Sequence, residues 1–309
     1  MRSFDRLRMT AIPIALLITY SLLPTHYSTS SMFTIIKNNG QIENFSKDKM
    51  SKILIKLGAP TETINHISAQ LEKKFLGRKI FSWELSQELN HILRREHPIL
   101  AKKYNLRSAI LRLGPTGFDF EKYVAAVLTA YGYKADLPGD LQGACVTHEV
   151  DVTVEKDGRT AMIEAKFRHN PSDFIGIKDT MSTWARYMDL IDGNRIGLCP
   201  HFDEVWIVTN AKFSEQSLKY GHCKNMVMIG WNHPHERTFA QMIDLQLMYP
   251  VTILDNLSTH TIRTLSEQNI MLCSQLARQD PVTLSQNLPA KKDEVIRAIK
   301  ECKELLNTK

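Results

Sequence analysis

The stretch HEVDVTVEKDGRTAMIEAKF, residues 148–167, decides how the middle of this chain folds. Asp157-Gly158 is a favoured pair for a two-residue hairpin turn, in which both central residues take a positive φ. The register that follows sets Asp151 opposite Glu164 and Glu149 opposite Lys166. Strand alternation then puts Glu149, Asp151, Glu164 and Lys166 on one face. Val150, Val152, Val154, Ile163, Ala165 and Phe167 fall on the other, an apolar and core-facing set.

Directly opposed residues have Cβ atoms roughly 4.5–5.5 Å apart. Two carboxylates at that range repel unless a cation or a proton lies between them. Mg²⁺ takes oxygen ligands of this kind and keeps several waters. Lys166 stands beside such an ion, placed to orient or help deprotonate a metal-bound water and to offset charge on a phosphate. This is the minimal equipment for hydrolysing a phosphodiester. The plain alternative is a solvent-facing pair of strands with mixed charges, which opposed Asp and Glu would destabilise.

Outward from the hairpin, Phe120, Val124, Val127, Leu128 and Tyr131 mark an amphipathic helix with Glu121 in its first turn. On residues alone, Glu121 is an ordinary acid favoured by the helix dipole. A helix is expected from Ile177 to Leu190, and strands at VWIVTN (205–210) and MVMIGW (226–231), with a short helix between. Thr209 and Asn210 end the first of these strands next to Lys212, either as a capped turn or against phosphate. His148 reads as a structural or phosphate-contacting residue, and the role of Glu149 is open.

Gly114-Pro115-Thr116-Gly117 is the clearest punctuation in the chain and is taken as a domain boundary. Before it, FTIIKNNGQIENFS suggests two short strands around Asn38-Asn39-Gly40, with Ser46 capping a helix. Three further helical stretches complete a ββαααα unit over 32–113. After Trp231 the chain reads as helical with breaks at Asp280-Pro281 and Leu288-Pro289. The last helix is expected to bury Val295, Ile296, Ile299, Cys302 and Leu306.

The bulk figures fit this division. The chain has 309 residues, long enough for two or three domains. A net charge of +6 suits a polyanionic partner. The five cysteines form no C-x-x-C pair, which argues against a zinc site or a disulfide framework and fits a reducing compartment. Residues 1–31 carry Arg2, Arg6 and Arg8 before a short apolar run. They are read as a mis-assigned start before Met32, or alternatively as an export signal.

Asp151 followed by Glu164-Ala165-Lys166 resembles the motif of the PD-(D/E)XK nuclease superfamily, and more narrowly its Mrr-like restriction endonuclease branch. The resemblance covers about residues 115–235, although His-Glu-Val stands where the motif has Pro. It implies Asp151 and Glu164 as ligands of Mg²⁺ or Mn²⁺ with the carbonyl of Ala165 as a third, Lys166 as catalytic lysine and Glu121 as auxiliary acid. The text IIKNNGQIENFSKDK, FSWEL and HPILAKKYNLRSA is similar to the ATP-cone. That implies regulatory ATP or dATP held by Lys37 and Lys49. The tail, with its better hairpin from Leu284 to Leu306, vaguely resembles helix-hairpin-helix repeats, with DNA-backbone binding or a packing or dimerising role as alternatives.

The resulting expectation is an α/β protein in four parts. Residues 1–31 are a leader or mis-assigned start, and 32–113 an ATP-cone-like ββαααα domain. Residues 114–235 form a restriction-endonuclease-like α/β domain with a mixed sheet, and 236–309 a helical DNA-binding region. The expected function is a cytoplasmic, metal-dependent DNA endonuclease regulated by nucleotide. Its expected partners are DNA, nucleotide and, through the tail, a second copy of the chain, with no membrane. The alternative is a non-catalytic, nucleotide-responsive DNA-binding regulator.

Overall fold

The structure, a computed structural model, describes residues 33–114, 119–170 and 172–307. The leader, Met32 and most of the Gly-Pro-Thr-Gly punctuation lie outside these residues. The chain parts into two compact units between Glu96 and His97.

In the first unit, β1 (Thr34–Ile36) and β2 (Ile42–Asn44) form the expected antiparallel hairpin, and Gly40 takes the left-handed φ of +80° that its turn requires. Ser46 caps α1 (Lys47–Lys56) by accepting from the Lys49 N–H at 3.2 Å. After α2 (Thr61–Phe75) comes a strand the sequence reading did not contain: β3 (Lys79–Phe81), parallel to β1, before α3 (Ser82–Glu96). The three-stranded order β2-β1-β3 surrounds a core of Phe33, Leu54, Ile67, Leu71, Ile80, Ile92 and Leu93. A three-residue strand squeezed between two helices is too short to show alternation.

The second unit begins earlier than residue 114. Helices α4 (Pro98–Tyr104) and α5 (Leu106–Leu111), assigned from sequence to the N-terminal domain, belong to it. The reason is packing. Leu106, Ala109, Ile110 and Leu113 share one core with the helical tail, the Thr252 hydroxyl donates to the Ala109 carbonyl at 2.7 Å, and Lys102 pairs with Glu301 at 2.8 Å.

Next come α6 (Phe120–Ala130), β4 (Lys134–Asp136), β5 (Gly139–Gln142), β6 (Thr147–Val150), β7 (Val152–Lys156), β8 (Arg159–Lys166) and β9 (Phe174–Ile175). Then follow α7 (Ile177–Arg195), β10 (Glu204–Thr209), β11 (Lys212–Phe213), α8 (Glu215–Cys223) and β12 (Val227–Ile229). The central sheet has the order β12-β10-β8-β7-β4. Strands β12, β10 and β8 are parallel, and β7 and β4 join antiparallel, so the sheet is mixed. One face (Val152, Val154, Ile163, Trp206, Val208) packs in a core with α6, and the other (Met162, Val205, Ile207) packs with Leu190 of α7.

The tail is not a separate body. It consists of α9 (Phe239–Leu245), a 3₁₀ turn (Val251–Ile253), α10 (Thr259–Glu267), α11 (Cys273–Leu276), α12 (Pro281–Gln286) and α13 (Lys292–Leu306). Its Phe239, Tyr249, Leu265, Cys273, Val295 and Cys302 share the core of α6. In α13 the buried stripe is rotated from the expected one: Ile296 is exposed, while Ala298 and Leu305 lie inside. All five cysteines are free, and no helix among the described residues is long and apolar enough to cross a membrane.

Tyr123, fully buried on α6, donates to the Met248 carbonyl at 2.6 Å and so ties the tail to the sheet domain. Tyr123→Phe leaves that carbonyl buried without its donor. The expected loss is about 1–3 kcal/mol in urea unfolding, with α6 and the tail still melting together.

Candidate active site

The hairpin at the centre has the register its sequence demands. Lys156 pairs with Arg159 and Val152 with Ile163, and Asp157 and Gly158 take φ of 52° and 72°. The ladder stops at Val152. At Asp151 the strand bends, and β6 leaves to pair with β5, bringing Glu149 opposite Asp140. The expected pairings of Asp151 with Glu164 and of Glu149 with Lys166 therefore do not form in the ladder. Val150 likewise moves to the α7 side, beside Met162, Ile175 and Leu190.

The bend has a visible chemical cause. The Asp151 carboxylate accepts the Ala165 N–H at 2.7 Å. A continued ladder would have given that N–H to a main-chain carbonyl. A side chain has replaced the backbone as acceptor, and the acid is held against the strand that carries Glu164 and Lys166.

Glu164, on β8, is only 3% exposed. Each of its oxygens is in an ion pair, Oε1 with Lys166 and Oε2 with Arg186 of α7. Arg186 was absent from the sequence reading. It lies 22 positions after Glu164, on a different element, and no local spacing signals it.

The surroundings are rich in carboxylates. Burial raises the Asp151 carboxyl, the neighbouring Glu164 and Glu121 raise it further, and the Ala165 N–H and Lys166 oppose them; the result is about 6. Glu121, in the first turn of α6, is also raised, by burial first and then by Asp119, Glu149 and Glu164 against Lys122. The bend thus separates Glu149 from Lys166 yet leaves it close enough to act on Glu121.

Other predicted residues are engaged elsewhere. His148 Nε2 lies 2.7 Å from Asp189 Oδ2 on α7. Asp189 also accepts from the backbone N–H groups of Cys145 (2.9 Å) and Val146 (3.3 Å). Burial opposes ionisation of Asp189, but these donors outweigh it and hold the carboxyl at about 2. The Cys145 thiol beside it is raised, chiefly by its hydrogen bond to Asp189. Through these bonds Cys145, Val146, His148 and Asp189 anchor the loop to α7. Asn210, buried, accepts from the Arg168 N–H and donates to its carbonyl, both at 2.8 Å, while Thr209 accepts from the Ala211 N–H; the turn reading of this pair fits. Asn210 so pins the chain just beyond Lys166.

A cleft of about 420 Å³ opens between this anchored loop and α7, lined by Cys145, Val146, His148, Ser182, Ala185, Arg186 and Asp189. At Gly143 and Gly193 the loop backbone comes close to the helix backbone. A Cβ on Gly193 would lie 2.9 Å from the Gly143 carbonyl carbon, and one on Gly143 would strike the Asp189 carboxylate.

In the first unit, Lys37 and Lys49 converge on Glu43, each at 2.8 Å, and the two ammonium groups hold its carboxyl below the ordinary value.

The fold and site define a mixed-sheet α/β unit whose acid cluster lies where parallel β8 ends. The chain belongs to the AF1548-like family. It is 37% identical over 131 residues to an uncharacterized protein of Archaeoglobus fulgidus, covering 42% of this chain and 71% of that relative. The family model described as AF1548-like, C-terminal, matches residues 249–306. Among solved structures, the crystal structure of the protein of unknown function AF1548 aligns with a TM-score of 0.50 and 28% identity, over 62% of this chain and 99% of that one. The DNA modification-dependent restriction endonuclease AspBHI aligns at a TM-score of 0.30 and 13% identity, over 66% and 40% of the two chains, a likeness too distant to fix fold or activity.

Gly193→Ala forces a backbone approach apart. Destabilisation of about 1–3 kcal/mol is expected by chemical denaturation. Gly197→Ala, where no atom lies within 4 Å of the added Cβ but φ is +78°, serves as the comparison for backbone strain without crowding.

Proposed function

We propose that this chain is a metal-dependent DNA endonuclease that hydrolyses phosphodiester bonds, with ATP or dATP bound by its first unit as regulator. The observation that carries this reading is the acid cluster held at the end of β8. Asp151 is fixed by the Ala165 N–H, Glu164 is buried beside it, and Lys166 is paired to Glu164. The donor set fits Mg²⁺ or Mn²⁺. Asp151, Glu164 and the Ala165 carbonyl offer oxygen, and burial followed by neighbouring carboxylates raises Asp151 and Glu121. Among the described residues no group of three or more His, Cys, Asp or Glu side chains is placed to hold a metal, and two carboxylates with one carbonyl would leave an ion several waters.

When bound, such an ion supplies a Lewis acid and an activated water. The chain's own residues then divide the work. Asp151 and Glu164 hold the ion, Lys166 offsets charge on the scissile phosphate, and Glu121 acts as auxiliary acid. A regulatory nucleotide would fit a cytoplasmic location. A triphosphate would take the place of Glu43 between Lys37 and Lys49.

One observation favours a second reading, the non-catalytic DNA-binding regulator. Both Glu164 oxygens already have cationic partners. If Arg186 never moves, it stands permanently in the place of a metal.

Incubation with Mg²⁺ or Mn²⁺ and a panel of DNA forms, with and without ATP, separates the two. Asp151→Ala and Glu164→Ala are each expected to lower cleavage by at least about 100-fold while DNA affinity persists. Retained cutting in either variant rules out the assignment. Because a proton competes for Asp151, wild-type cleavage at subsaturating metal is expected to fall as pH drops through about 6. In the first unit, Lys37→Ala or Lys49→Ala is expected to weaken ATP or dATP binding about tenfold, measured by equilibrium titration with a fluorescent nucleotide. Unchanged affinity leaves the lysines as surface partners of Glu43 alone.

A further inference from the structure

Arg186 brings a charge that Glu164 does not require. Glu164 already has Lys166 on one oxygen, and a single buried carboxylate carries one negative charge. The second cation lies in the wall of the open cleft. Ser182 and Asp189 flank it on α7, four residues before and three after, so all three share one helix face. Asp189 is the acid of that wall, and its oxygens are taken by His148 and by the N–H groups of Cys145 and Val146. Arg186 therefore lines an accessible space together with Ser182, with the neighbouring acid engaged. The ligand chemistry that suits such a wall is a phosphate, whose oxygens match the guanidinium fork.

We infer that Arg186 is a phosphate-contacting residue: when DNA enters the cleft, its guanidinium leaves Glu164 for a backbone phosphate and frees that carboxylate for a metal ion. The inference rests on the nuclease reading and deepens it. Arg186 adds a positive charge on Glu164 and so discourages metal binding without substrate. Metal and DNA then strengthen each other's binding by the same factor.

The test pairs two titrations of the full chain carrying Arg186→Gln. Calorimetric titration with Mn²⁺ alone is expected to give about tenfold tighter binding than wild type, since the competing cation is gone. Anisotropy with a DNA duplex in EDTA is expected to give about tenfold weaker binding, with the salt slope reduced by about 1. A merely structural ion pair would not move the two affinities in opposite directions. Unchanged DNA affinity and slope overturn the inference, as does weaker Mn²⁺ binding. Inorganic phosphate that raises wild-type Mn²⁺ affinity as much as duplex does overturns the assignment of DNA as ligand. Arg186→Lys keeps the charge and is the safeguard against misfolding: it must retain the wild-type salt slope, and a reduced slope counts against the phosphate contact. Cutting is absent in EDTA, so this arm is read independently of the nuclease reading, which Asp151→Ala tests.

Discussion

A carboxylate buried in a sheet has to be neutralised where it stands. Glu164 enters the interior on β8, and the arrangement around it follows from that requirement. Lys166 compensates it from two residues along the same strand, and Arg186 from the helix packed over that face. Removing one partner from such a group strands a charge out of water, a far larger penalty than the net gain of the intact pair. The ion pair joins α7 to the sheet beside Glu164, and the same helix carries Asp189 to the loop at 143–146.

The hairpin was the most legible part of the sequence, and for a local reason. An Asp-Gly turn sets its own register, and the register carries over to every pair up to Val152 and Ile163. Legibility stops at Asp151, where a side-chain acceptor replaces a main-chain one. Alternation assumes an unbroken ladder, so it misplaced Val150 and the partner of Glu149. The loss at Arg186 is of another kind. A charge supplied from a helix to a strand leaves no period in the sequence, and only the packing of α7 on the sheet reveals it.

The same contrast holds for the units. Gly114-Pro115 punctuates the chain locally, yet α4 and α5 on its N-terminal side share their core with residues near the C-terminus. Covalent neighbours and packing neighbours part company here. The tail, expected to be a separate helical DNA-binding region, shares the core of α6, and its last helix turns inward by a stripe that includes Ala298 and leaves Ile296 exposed. Short strands such as β3, β9 and β11 were invisible because two or three residues hold no pattern to read.

The contact between Gly143 and Gly193 has a consequence for whatever occupies the cleft. Backbone resting on backbone has no rotamers to change, and the loop is further fastened through Asp189. One wall of the opening is therefore stiff, and adaptability is confined to the long side chain of the opposite wall. Whatever rests against that wall meets it as it stands, and any adjustment has to come from the helix side or from the guest.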